Sequence, residues 1–162
     1  MSDLVKRIMV YVDGTEQSVT AAQYAICLAS FSHAQLIAHY VVNTKAMDDL
    51  LKAHIFLQDE QTEYEHDMEA DAERYLNYIA ELAIKKGVSV TKKRSKGSVQ
   101  REIVDAVKDM QVDLLVIGEL SRIRSRRDEF YDETDRAMRS APCSVLIVKD
   151  EERVWNLYES LV

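Results

Sequence analysis

Turn-forming residues are scarce in this chain. Of its 162 residues four are glycine, at positions 14, 87, 97 and 118, and one is proline, Pro142, against ordinary usage near 7% and 5%. A hairpin-rich all-β domain draws heavily on such residues at its turns, so this class is excluded. Cysteine is equally sparse. Cys27 and Cys143 lie far apart in apolar segments, without CxxC or Cys/His spacing, which excludes a metal knuckle or a disulfide framework and predicts two buried core thiols. No apolar run approaches the roughly 20 residues that span a bilayer. The charged start with Asp3, Lys6 and Arg7 leads into no signal-type stretch, so no membrane association and a reducing, cytoplasmic setting are expected.

What is abundant is acid and apolar bulk. The chain carries 28 acidic and 21 basic residues, a net charge of −7, which repels phosphate backbones at long range and argues against a nucleic-acid partner. Hydrophobic residues make up 47%, enough for one substantial core at this length.

The hydrophobic pattern alternates between two periods. Arg7 to Val12 is a short β-branched run closed by Asp13-Gly14, a buried strand ending in a turn. Val19, Ala22, Ala25, Ile26 and Ala29 then recur at helical spacing behind Ser18, read as the N-cap. Leu36 to Val42 is a second strand. Lys45 to Lys86 is helical in pattern, with a short stripe at Met47, Leu50, Leu51, His54 and Ile55. A longer stripe follows at Tyr64, Met68, Ala72, Tyr75, Ile79, Leu82 and Ala83, stopped by Gly87. Eight acids between Asp59 and Glu73 mark its solvated face, and His66 with Asp67 and Glu69 lacks the two-histidine spacing of a zinc helix. Val88 to Thr91 reads as a weak third strand, Ser98 as the cap of a helix through Met110, and Asp113 to Gly118 as a fourth strand, apolar on both faces. Thr134 to Ser140 is a short helix stopped by Pro142, and Ser144 to Val148 a fifth strand. Residues 1–149 thus form one α/β domain with a five-stranded parallel sheet. Residues 150–162, with Val154, Leu157, Tyr158 and Leu161 on one stripe, form an amphipathic helical tail that docks on its own domain or on a partner.

Several of these segments together resemble the universal stress protein family: Val12 to Ser18 after the first strand, Tyr40-Val41-Val42, Gly97-Ser98, Asp113 to Gly118, and Arg139 to Val148. The resemblance covers about residues 5 to 149. It implies a doubly wound sheet in the order 3-2-1-4-5, a nucleotide-binding type of fold with helices on both faces, whose ligand cleft lies outside the carboxyl ends of strands one and four. Gly14 and Gly118 fall there. By the resemblance Asp13 meets the adenine or ribose end of a nucleotide, and Val41 offers backbone atoms to the base.

Members that bind ATP resemble one another in a Gly-x-x-Gly-x9-Gly-Ser/Thr pattern after the fourth strand, where glycines let backbone amides close around phosphates and the hydroxyl opens a helix. Here the four positions are Gly118, Ser121, Tyr131 and Asp132. Asp132 is expected to cap the following helix with its own anion, and with Glu133 to repel phosphate. The opposing signal is basic. Arg122, Arg124, Arg126 and Arg127 could contact phosphate directly in place of the glycines, or pair with nearby acids.

Three functions follow as expectations. The first is a non-enzymatic, homodimeric stress-response regulator with classical ATP binding lost or weakened and no bound cofactor, its copies joined through the Ser144–Val148 edge strand and the tail, acting on an unidentified protein partner. The second is a switch that binds ATP or AMP weakly through Arg122–Arg127. The third is an enzyme, for which there is no GxSxG elbow, Walker sequence or metal spacing, and whose one histidine within a strand, His39, reads as core; no catalytic residue is assigned.

Overall fold

The computed structural model describes residues 4–53, 58–119 and 133–162 of the chain. Five strands form one parallel sheet: β1 Arg7–Val12, β2 Gln35–Val42, β3 Val90–Lys96, β4 Leu114–Gly118 and β5 Ser144–Val148, in the spatial order β3-β2-β1-β4-β5. β1 is central, with Ile8 level with Leu36 of β2 on one side and Leu114 of β4 on the other. The connecting helices are α1 Glu16–Ser32, α2 Thr44–Lys52, α3 Gln58–Ile84, α4 Val99–Asp109 and α5 Glu133–Ser140, with α6 Glu151–Ser160 after the last strand.

Alternation along the strands divides the core. Ile8, Val10, Val12, Leu36, Ala38 and Val116 face α1, α3 and α6, whereas Met9, Tyr11, Ile37, Val41, Leu115 and Ile117 face α4 and α5. Burial on both faces is why β1, β2 and β4 read as unbroken apolar runs. α1 packs against the sheet on one side and meets α6, and its Ala21, Ala22, Ala25 and Ala29 are buried, as are polar Ser18, Thr20 and Gln23.

The tail therefore docks on its own domain. Val154 and Tyr158 are buried, the Tyr158 hydroxyl donates to the Leu82 carbonyl at 2.7 Å, and the Lys86 ammonium lies 4.9 Å from the Tyr158 ring centre while donating to the Leu161 carbonyl. Leu157 and Trp155 stay exposed.

Several local expectations need correction. The N-cap of α1 is Thr15, whose Oγ1 accepts from the Ser18 N–H at 3.2 Å; Ser18 already lies inside the helix. The third strand is Val90–Lys96, longer and later than Val88 to Thr91, because on an edge strand the solvent-facing positions are occupied by charge and the apolar signal disappears. The helical span after β2 is two helices, and α5 starts at Glu133, one residue before Thr134. Cys27 and Cys143 are half-buried free thiols rather than fully buried ones, and burial raises the pKa of both. Gly87 does stop α3, with φ +73°.

Candidate functional site

β1 leads into α1 on one face of the sheet, and the next described helix after β4, α5, packs on the other, so a crevice lies at the switch point outside the carboxyl ends of β1 and β4. The turn after β1 is a closed ring of polar contacts. The Asp13 carboxylate accepts, through Oδ1, from the Thr15 N–H at 3.0 Å and the Thr15 hydroxyl at 2.6 Å. The Ser18 hydroxyl donates to the Thr15 carbonyl at 2.9 Å and accepts from the Asp13 N–H at 3.3 Å. Asp13 thus organises the start of α1.

Two glycines set the spacing around this ring. Gly14 has φ +84°, and a Cβ on it would lie 2.8 Å from the Tyr75 ring. Tyr75 in turn stacks on Tyr40, with centroids 6.4 Å apart and planes 9° from parallel, and the Arg74 guanidinium lies 5.3 Å from the Tyr75 centroid. A Cβ on Gly118 would lie 2.4 Å from the backbone oxygen of Gln17, so glycine is what lets α1 meet the end of β4.

Between them is a small cavity of about 70 Å³, lined among the described residues by Tyr11, Asp13, Thr15, Gln17, Ser18, Ile117, Gly118, Glu119 and Thr134. Tyr11 forms its floor. Burial, reinforced by the nearby charge of Asp13, pushes the phenol well above its ordinary range, so it stays protonated; Thr134 lines the cavity beside it.

Of the residues singled out in the sequence, Asp13 and Gly118 line the cavity and Gly14 lies beside it. Val41 is not among the described lining residues, and its side chain is buried on the α4 face of the sheet; the expected contact is one of backbone atoms, on which that burial does not bear. Ser121, Arg122, Arg124, Arg126, Arg127, Tyr131 and Asp132 lie outside the described residues. Tyr11, Gln17, Glu119 and Thr134 were missed. Tyr11 belongs to an apolar run and reads as core, and Gln17 enters through a backbone approach that leaves no mark in sequence; Glu119, directly after Gly118, is the one with a visible signal.

A second polar cluster lies at the start of α4. Ser98 occupies the cap position, yet its side chain does not cap the helix. Glu133, the first residue of α5, does so instead. One carboxylate oxygen accepts from the Val99 N–H at 3.2 Å, the other from the Ser98 hydroxyl at 3.2 Å, and the Lys45 ammonium lies 3.6 Å away. The protein thus supplies an anion of its own to this helix N-terminus.

His39 is fully buried on the α4 side of the sheet. Its Nε2 is 2.6 Å from the Ser95 hydroxyl, and its Nδ1 has no hydrogen-bond partner among the described residues. Burial, with a smaller contribution from Lys93, lowers its pKa from 6.5 to about 4. The imidazole is therefore neutral at pH 7. Among the described residues no group of three or more His, Cys, Asp or Glu side chains could hold a metal ion, and no helix is long and apolar enough to cross a membrane.

An open parallel sheet with its crevice at the switch point defines a doubly wound, nucleotide-binding type of α/β domain. The universal stress protein family model matches residues 5–149, and the chain belongs to that family. A universal stress protein of Methanocaldococcus jannaschii is 26% identical over 151 residues, 93% of this chain and 86% of that protein. Among solved structures, a universal stress protein family member from Burkholderia pseudomallei superposes with a TM-score of 0.70 at 20% identity, covering 91% of this chain and 98% of the other. A family protein from Arabidopsis thaliana with AMP bound gives 0.64 at 15% identity, covering 91% and 94%.

Proposed function

We propose that this universal stress protein is a non-enzymatic regulator whose crevice does not hold ATP in the way the glycine-rich members do. The observation that carries this reading is the chemistry of the cavity at the switch point. Its rim carries two carboxylates, Asp13 and Glu119, and Asp13 Oδ1 is already engaged by Thr15. The sequence supports the same reading, since Ser121, Tyr131 and Asp132 stand where the pattern has two glycines and a hydroxyl.

The competing reading is a weak ATP or AMP switch in which Arg122, Arg124, Arg126 or Arg127 replaces the amide cradle. The AMP in the Arabidopsis relative is the observation in its favour. Calorimetry with ATP and AMP at low ionic strength separates the two. The first reading expects no saturable heat up to millimolar nucleotide, and gain of binding in the triple variant Ser121→Gly, Tyr131→Gly, Asp132→Ser. Micromolar binding by the native chain overturns it in favour of the switch.

The regulator acts as a homodimer joined through β5. This edge strand is apolar, with Ile147 exposed, and the exposed Trp155 and Leu157 of α6 lie on the segment that follows it. Sedimentation at micromolar concentration tests the assembly; a monomer there removes it.

A further inference from the structure

The two edges of the sheet differ in chemistry. β5 at one end is Ser-Val-Leu-Ile-Val, whereas β3 at the other is Val-Thr-Lys-Lys-Arg-Ser-Lys. In a chain of net charge −7, four of the 21 basic residues fall within Lys92 to Lys96. β3 is paired along its whole length with β2, from Val90 against Leu36 to Lys96 against Val42. Its outward N–H and C=O groups have no strand partner among the described residues. We propose that this edge is a docking strand for an acidic, extended peptide segment of a partner protein, which adds to the sheet as a sixth strand.

The side chains sort by face. Lys92, Arg94 and Lys96 point to the α3 side; Thr91, Lys93 and Ser95 point to the other. On the α3 side, Lys96 pairs with both Glu65 and Glu69, so at this end of the strand the carboxylates outnumber the cation and the uncompensated positive charge lies further back, at Lys92 and Arg94. Lys92 donates one bond to the neutral amide oxygen of Asn77, at 2.9 Å, which offers it no opposite charge. Arg94 is exposed beside it. Lys92 and Arg94, with Leu76, Asn77 and Glu73 of α3, line an open groove of about 270 Å³ along the strand. Two cations against one carboxylate leave the groove positive, and Leu76 gives it an apolar floor.

Lysines on an edge strand also repel a second copy of the same strand. That repulsion and the proposed selection are one property: an edge that rejects a basic strand accepts an acidic one, and backbone pairing supplies affinity while alternate side chains supply specificity. The geometry favours a peptide over a polynucleotide. A polyanion would need only the cations, whereas this edge also offers a ladder of backbone donors and acceptors that an extended peptide can pair with and a phosphate chain cannot.

The test uses the full chain and a blocked, fluorescein-labelled peptide of alternating Glu and Thr, titrated by fluorescence anisotropy. Three comparison probes are the same peptide N-methylated at alternate residues, its Lys-for-Glu counterpart, and single-stranded polyuridine. Binding in the micromolar range is expected, weakened at least tenfold by backbone methylation and at least tenfold by the double variant Lys92→Glu, Arg94→Glu. Both residues are exposed, and circular dichroism confirms that the variant folds. The Lys peptide is expected not to bind. Absence of binding below millimolar peptide, equal binding of the methylated peptide, or tighter binding of polyuridine would each overturn the proposal.

Discussion

Glu133 and Val99, 34 positions apart, share a hydrogen bond in which the carboxylate of one helix accepts the first N–H of another, at 3.2 Å. This contact fastens α5 to α4 on the side of the sheet that also carries Tyr11 and Thr134, and it occupies a helix terminus that would otherwise attract an external anion. The cap residue by position, Ser98, donates to the same carboxylate and does not itself satisfy an N–H.

Glu133→Ala is therefore expected to destabilise the fold by about 1–2 kcal/mol, the range for losing a helix cap together with a charge-assisted bond. Ser98→Ala should cost less than half as much. Urea unfolding of the two variants measures the difference. Equal losses would show that capping resides in Ser98 and that the Glu133 contact is incidental. The Lys45 ion pair adds little, because Lys45 is largely exposed.

His39 predicts a specific pH dependence. Its folded pKa of about 4 lies below the ordinary 6.5, so the unfolded chain takes up this proton first. The contribution of the neutral ring is intact above pH 6.5 and declines as pH falls toward 4, by about 3 kcal/mol in all, since each unit is worth about 1.4 kcal/mol. Carboxylates with depressed pKa values, such as Asp113, held down by the N–H groups of Lys6 and Arg7, lose their contribution only at lower pH. Urea unfolding between pH 7 and pH 5 isolates the histidine. His39→Gln should flatten that window; an unchanged slope would assign the loss to other groups.

The frame of this fold is legible in the sequence because burial on both faces of a parallel sheet leaves unbroken apolar runs at β1, β2 and β4, and because α1 declares itself through evenly spaced alanines. β3 is poorly legible for the opposite reason. Its Lys92, Lys93, Arg94 and Lys96 carry no apolar periodicity, and what makes the segment a strand is its pairing with β2, a contact across more than 50 residues. The site was half legible. Asp13, Gly14 and Gly118 stand at strand ends, where residue type and position coincide. In the sequence Glu133 reads as a charge that repels phosphate or pairs with the nearby arginines, since nothing local indicates that a carboxylate at the start of α5 caps α4, a helix that begins 34 residues upstream.

Two glycines of similar appearance in the sequence should respond differently to substitution. At Gly118 an added Cβ would lie 2.4 Å from the Gln17 backbone oxygen, a contact that cannot be relieved by rotating a side chain, so α1 and β4 must separate. Gly118→Ala is expected to cost about 1–3 kcal/mol, as overpacking does. At Gly87 an added Cβ would meet nothing within 4 Å among the described residues, and the obstacle is the positive φ of +73° alone, which costs an alanine about 1 kcal/mol. The two variants should also differ in where they act: amide exchange in Gly118→Ala should rise around Thr15 to Ser18 and at the end of β4, whereas in Gly87→Ala it should rise only at the end of α3. If Gly118→Ala were no less stable than Gly87→Ala, and the amides around Thr15 stayed as protected as in the native chain, the close approach of α1 to β4 would not be what positions the Asp13 turn.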